Sequence, residues 1–135
     1  LDGRRTLPQI EFIAGDEAVA LVFRHLEPLS AADLERLVAF AKDTGFAVFL
    51  QPGGIDTVKA LWPEQVPLSF AIPAFDLSLD FRPLDFIQVN AGLNDKMIAS
   101  ALDLLDPQPG DRVLDLFCGL GNFTLPLAKR AGQVV

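Results

Sequence analysis

The sequence predicts an α+β chain in two parts: a small, mostly antiparallel α+β layer, then the start of an α/β sheet. Three observations carry that reading. Hydrophobic periodicity runs strand, strand, helix, strand over residues 9–50. A proline interrupts the pattern between Arg82 and Asp85. Residues 112–131 read as strand, glycine turn and helix, the first crossover of an open sheet. The division is placed at residues 1–84 and 85–135.

In the first part, Gln9 to Ala14 and Ala18 to Arg24 are strand-like runs around Gly15-Asp16-Glu17, a hairpin signal. A helix starts at Ser30, a residue able to N-cap, with Asp33 three positions on and Leu29 and Leu34 spaced as a hydrophobic staple. Leu34, Leu37, Val38 and Ala41 form its apolar stripe, and Gly45 is placed to end it. Phe46 to Leu50 is a third strand, closed by Pro52-Gly53-Gly54. After the apolar patch Ala60-Leu61-Trp62, Pro63 and Pro67 mark a loop. Leu68 to Ile72 and Leu77 to Phe81 read as a further hairpin.

The second part opens on Phe86-Ile-Gln-Val-Asn90 and a helix over Asn94 to Leu105, with Met97, Ile98, Ala101, Leu102 and Leu105 on one face. Pro107, Pro109 and Gly110 end it. Arg112 to Phe117 then reads as a short buried strand, apolar around the single acid Asp115. Cys118 to Asn122 is a glycine-containing turn, and Phe123 to Ala131 has helical spacing. Gly119 and Gly121 allow a sharp turn and close approach of a ligand. A lone Gly-x-Gly also occurs in dinucleotide sites, but the third glycine of that fingerprint is Thr124 here. An acid immediately before the turn suits a ligand bearing an ammonium group, which is the chemistry of an S-adenosylmethionine site.

Composition bounds the rest. Half of the 135 residues are hydrophobic, so the chain is globular. One cysteine excludes an internal disulfide, a CxxC pair and a self-contained Cys-ligated cluster. No apolar run approaches a membrane span and no signal-peptide layout is present, so a cytoplasmic location is the expectation. The net charge of -7 argues against a stand-alone RNA-binding module, which needs a basic stripe. Leu1 is not an initiator Met, and Gln133-Val-Val135 opens a second parallel strand that stops at once. A piece of a longer protein is expected.

The run from Val113 to Ala128 resembles the first cofactor motif of the RNA uracil-5-methyltransferases, and Phe86 to Asn90 resembles the F-x-Q-V-N signature that precedes it. With His25-Leu-Glu-Pro-Leu-Ser30, the chain resembles the bacterial 23S ribosomal RNA branch over nearly its whole length. The resemblance implies a central-domain portion in residues 1–84 and the start of a Rossmann-like methyltransferase domain in 85–135. It implies S-adenosylmethionine as cofactor and a uridine of 23S ribosomal RNA as substrate, methylated at C5 after a cysteine adds to C6. A transfer-RNA enzyme and a non-catalytic binding or assembly module are the rival readings.

Gln88, Asp115, Phe117, Gly119, Gly121 and Asn122 are the cofactor-binding residues so implied, Asp115 in a supporting role. Gln88 otherwise pairs with loop backbone, Asn122 otherwise caps a helix, and Asn90 serves as a ligand contact or as a turn or cap residue. Cys118 is read as a buried core cysteine and not the nucleophile. The resemblance places the nucleophile and the proton-abstracting acid beyond Val135, and the cysteines of a 4Fe-4S cluster before Leu1. His25, the only histidine, has no partner with which to bind a metal. Trp62 and the eleven Phe are assigned to the core.

Overall fold

Alternating apolar residues build the first sheet. In the computed structural model, which describes all 135 residues, β1 (Gln9–Ala14) and β2 (Val19–Arg24) pair antiparallel in unbroken register, from Gln9 opposite Arg24 to Ala14 opposite Val19. Helix α1 (Ala31–Thr44) carries the chain across to β3 (Ala47–Gln51), which pairs parallel to β2. A parallel neighbour requires such a crossover, so this pairing departs from the antiparallel pattern. The short strand β4 (Lys59–Trp62) adds antiparallel to β3 and completes a mixed sheet in the order β1-β2-β3-β4. Its four residues are mostly exposed, so period alone did not mark the Ala60–Trp62 patch as a strand.

The ends of α1 follow the sequence signals. Ser30 Oγ accepts from the Asp33 N–H at 3.1 Å, and Gly45 closes the helix at φ 74° with its N–H on Ala41 O. Asp33 does more than stand in the first turn. Fully buried, its carboxylate accepts the N–H groups of Asp2 and Gly3 at 2.7 and 2.8 Å and meets Arg36 at 3.0 Å. The Gly3 N–H, followed by the Asp2 N–H and the Arg36 guanidinium, holds that carboxyl below the usual carboxylate range, against the opposing effect of burial. Phe23, Leu37, Ala41 and Val48 form the core between helix and sheet.

The chain divides into two units: Leu1–Ser69 with Arg82–Leu84, and Phe70–Phe81 with Asp85–Val135. In the second, β5 (Ser69–Ile72) and β6 (Leu77–Asp80) pair as a two-stranded sheet. Helix α2 (Ala91–Leu105) starts at Asn90, whose side chain accepts from Leu93 N–H at 2.9 Å. Asn90 is therefore a cap residue. Next come β7 (Arg112–Val113), α3 (Thr124–Ala128) and β8 (Gln133–Val134), with β8 parallel to β7. Ile72, Leu79, Ile98, Leu102 and Leu127 form the core of this unit.

Several expectations are corrected. The strand read over 112–117 is two residues long, and Leu114, Leu116 and Phe117 are exposed. Beyond these two residues, Asp115 N–H donates to Val135 O at 2.8 Å. The helix read over 123–131 is five residues, closed by Arg130 and Ala131 N–H on Leu127 O. The aromatic residues are not uniformly core: Phe12, Phe40, Trp62, Phe86 and Phe117 are exposed, and Lys42 stands 4.7 Å over the Trp62 ring.

Candidate functional site

The site is assembled around the end of β7. After Asp115 the chain enters a turn in which Phe117, Gly119 and Gly121 have positive φ, at 62°, 57° and 92°, while Cys118 and Leu120 do not. This alternation of sign turns successive backbone N–H groups toward a common side, the arrangement that receives an anion. The Gly121 N–H closes on Cys118 O at 2.9 Å; those of Gly119 and Leu120 make no hydrogen bond within the chain. A Cβ at Gly119 would meet nothing within 4 Å, so the turn presents open backbone there.

Phe117 is the one position of the three where a side chain accepts a positive φ. Its ring is fully exposed, at 102% of the reference area. A bulky residue in the left-handed region is an uncommon conformation and concentrates at functional turns. Asp115 is partly buried. Its Oδ2 accepts from Thr124 Oγ1 at 2.5 Å, and its Oδ1 has no partner in the chain, so one carboxylate oxygen remains to receive a donor.

Asn122 is held by a residue that sequence reasoning did not single out. Its Oδ1 accepts from Asn94 Nδ2 at 2.9 Å while its Nδ2 donates to Asn94 Oδ1 at 2.7 Å. Asn94 is 4% exposed on the buried face of α2, one turn before Ile98. The available signal was an amide residue at i-4 from a buried apolar position, where a polar side chain requires a partner. The second missed residue is Thr124, noted only as the absent third glycine.

Gln88 lies exposed in the extended loop before α2, two residues from the Asn90 cap, with Phe86 beside it 81% exposed. Because Asn94 contacts Asn122, that loop and the glycine turn stand at the same end of α2. Five of the six expected residues thus belong to the strand-to-turn segment itself, and Gln88 lies in the loop before α2. Cys118 is exposed and not a core residue; its one hydrogen bond in the chain is a long one, 3.8 Å, to Gly119 O. Leu120 and Phe123 turn toward the core of this unit, whereas the Cys118 side chain faces out of it.

The donor set fits S-adenosylmethionine. A free carboxylate oxygen on Asp115 suits an ammonium, unpaired N–H groups at Gly119 and Leu120 suit a carboxylate, and the open face at Gly119 admits close approach. No group of three or more metal-ligating side chains is found, and no helix is long and apolar enough to cross a membrane.

Comparison with known proteins is decisive about family. The model of the tRNA (uracil-5-)-methyltransferase family matches residues 4–135. The chain belongs to that family. Among its relatives, proteins named 23S rRNA (uracil(1939)-C(5))-methyltransferase RlmD are 67% identical in Xanthomonas oryzae, 68% in Xanthomonas campestris and 62% in Xylella fastidiosa. Each match covers all 135 residues of this chain and 30% of the relative. The chain therefore spans about 30% of the length of the curated relatives it matches.

Proposed function

We propose that residues 1–135 are part of an enzyme that transfers a methyl group from S-adenosylmethionine to C5 of a uridine in 23S ribosomal RNA, the target being uridine 1939. The observation that carries this is identity of 62–68% along the whole chain to enzymes of that name. The family's name speaks of transfer RNA, but high identity to the ribosomal enzymes outweighs a family-wide name. Acting on ribosomal RNA, the enzyme works in the cytoplasm.

On this reading residues 85–135 open a Rossmann-like methyltransferase domain, supported by the parallel β7–β8 pair with α3 between, and residues 1–84 belong to a central α+β domain. Bound at the turn, S-adenosylmethionine supplies an electrophilic methyl group. Asp115, through its free Oδ1, would hold the ammonium, and the Gly119 and Leu120 N–H groups would hold the carboxylate. Gln88, Phe117 and Asn122 border the same place, while Gly119 and Gly121 keep the approach clear. These residues bind and orient; they do not form the covalent bond to the base.

Cys118 is not the nucleophile on this reading, because it sits within the turn that shapes the cofactor site and no basic group hydrogen-bonds its sulfur. The nucleophilic cysteine and the base come from outside residues 1–135, as do the ligands of any iron–sulfur cluster. With a net charge of -7, these residues leave most of the RNA contact to other parts of the enzyme. The test is methyl transfer by the full-length enzyme to 23S RNA lacking this modification. Label from S-adenosylmethionine should appear as 5-methyluridine at position 1939. Label on transfer RNA alone would assign the rival substrate, and no label on either RNA would reject the enzyme reading.

A further inference from the structure

We infer that Asn94 is a positioning residue for the cofactor turn: it fixes the carboxamide of Asn122 and thereby the conformation of residues 117–122. The inference rests on the reading of this turn as the S-adenosylmethionine site. The two amides form a closed pair, each donating to and accepting from the other, at 2.7 and 2.9 Å across 28 residues of sequence. Such reciprocal bonding sets both the rotation and the orientation of the amide plane, because turning either side chain breaks two bonds at once. Asn94 has only 4% of its surface exposed, so water does not compete well for its bonds.

The platform beneath it is rigid. Ile98 and Leu102, one and two turns further along α2, are fully buried in the core that also includes Ile72 of β5 and Leu127 of α3. On the other side of the turn, Thr124 Oγ1 binds Asp115 Oδ2 across nine residues. The loop from Leu116 to Phe123 is therefore tied twice, at its neck by Thr124 and to the body by Asn94. Three positive-φ residues lie within it. Without the second tie a segment with such torsions relaxes toward commoner backbone conformations. Each carboxamide keeps one N–H and one lone pair after pairing, so the direction in which partly buried Asn122 offers its remaining groups to a ligand is set by Asn94.

The test uses the full-length enzyme and S-adenosylhomocysteine as the probe, titrated calorimetrically. Asn94→Ala and Asn122→Ala should each weaken binding about 10-fold, and the double variant should be no weaker than Asn122→Ala alone. Asn94→Asp, which still accepts from Asn122 Nδ2 but no longer donates to its Oδ1, should fall between wild type and Asn94→Ala. KM for S-adenosylmethionine should rise while KM for RNA stays unchanged. A purely structural role would lower the melting temperature and leave the dissociation constant of the folded protein as it was; that result, or additive losses in the double variant, would overturn the inference. Hydrogen exchange in the full-length enzyme supplies an independent readout. The Gly121 amide, bonded to Cys118 O, should exchange at least 10-fold faster in Asn94→Ala. If wild type binds no S-adenosylhomocysteine, the cofactor reading fails and exchange at Gly121 still decides whether Asn94 holds the turn.

Discussion

Replacing Gly132 by Ala should unfasten the strand pair that carries the cofactor turn. Gly132 lies between α3 and β8, and a Cβ there would overlap the carbonyl oxygen of Pro109 and stand 3.2 Å from its carbon. Backbone atoms cannot rotate aside as a side chain can, so residues 131–133 must move away from the Pro109–Asp111 loop. That movement stretches two hydrogen bonds, from Gly132 and Gln133 N–H to Asp111 O, both already 3.1 Å. Losing one or both costs about 1–2 kcal/mol, and the residual crowding adds about 1–3 kcal/mol. A total near 3 kcal/mol should lower local protection about 100-fold. Hydrogen exchange of the Val135 amide, bonded to Val113 O, and the Asp115 amide, bonded to Val135 O, reads it directly. Gly110→Ala is the control: its Cβ would meet nothing within 4 Å and its φ is not positive, so protection should change by less than about threefold. Equal protection in Gly132→Ala and wild type would refute the packing argument.

Gly121→Val in the full-length enzyme should reduce S-adenosylhomocysteine affinity at least 10-fold by calorimetry, because φ is 92° and the new Cβ would press on Leu125 Cγ at 3.3 Å. Cys118→Ser should still form the covalent adduct with 5-fluorouracil-containing RNA; a folded, cofactor-binding variant that forms none would make Cys118 the nucleophile. Residues 1–135 alone should transfer no methyl group to unmodified 23S RNA, and measurable turnover by them would overturn the division of labour proposed above. Asp33, with a carboxyl pKa lowered by folding, contributes stability that is complete above the ordinary carboxylate range and is lost as pH falls through its lowered value. Melting temperatures measured from about pH 6 to about pH 2 should therefore fall less steeply in Asp33→Asn than in wild type.

What could be read from the sequence was local. Alternation set β1 and β2, the Ser30 and Gly45 signals set the ends of α1, and two glycines marked the turn after Asp115. Gln133 to Val135 was legible as a parallel strand because it follows a strand–turn–helix unit, and β8 does pair with β7. The resemblance to the uracil-5-methyltransferases marked the motif residues. What the sequence could not decide was which groups meet across distance. The pairing of β3 beside β2 was one such case, since only the tertiary structure shows it to be parallel. Asp33 read as a first-turn acid, and only the return of Asp2 and Gly3 made it a buried acceptor. Asn94 read as an ordinary helix residue until Asn122 was found 28 positions away with its amide facing it. Periodicity and turn chemistry depend on neighbours within a few residues, so the sequence determined the elements and the turn. Hydrogen bonds between distant polar groups depend on where packing brings the backbone, so tertiary structure alone decided how the turn is held.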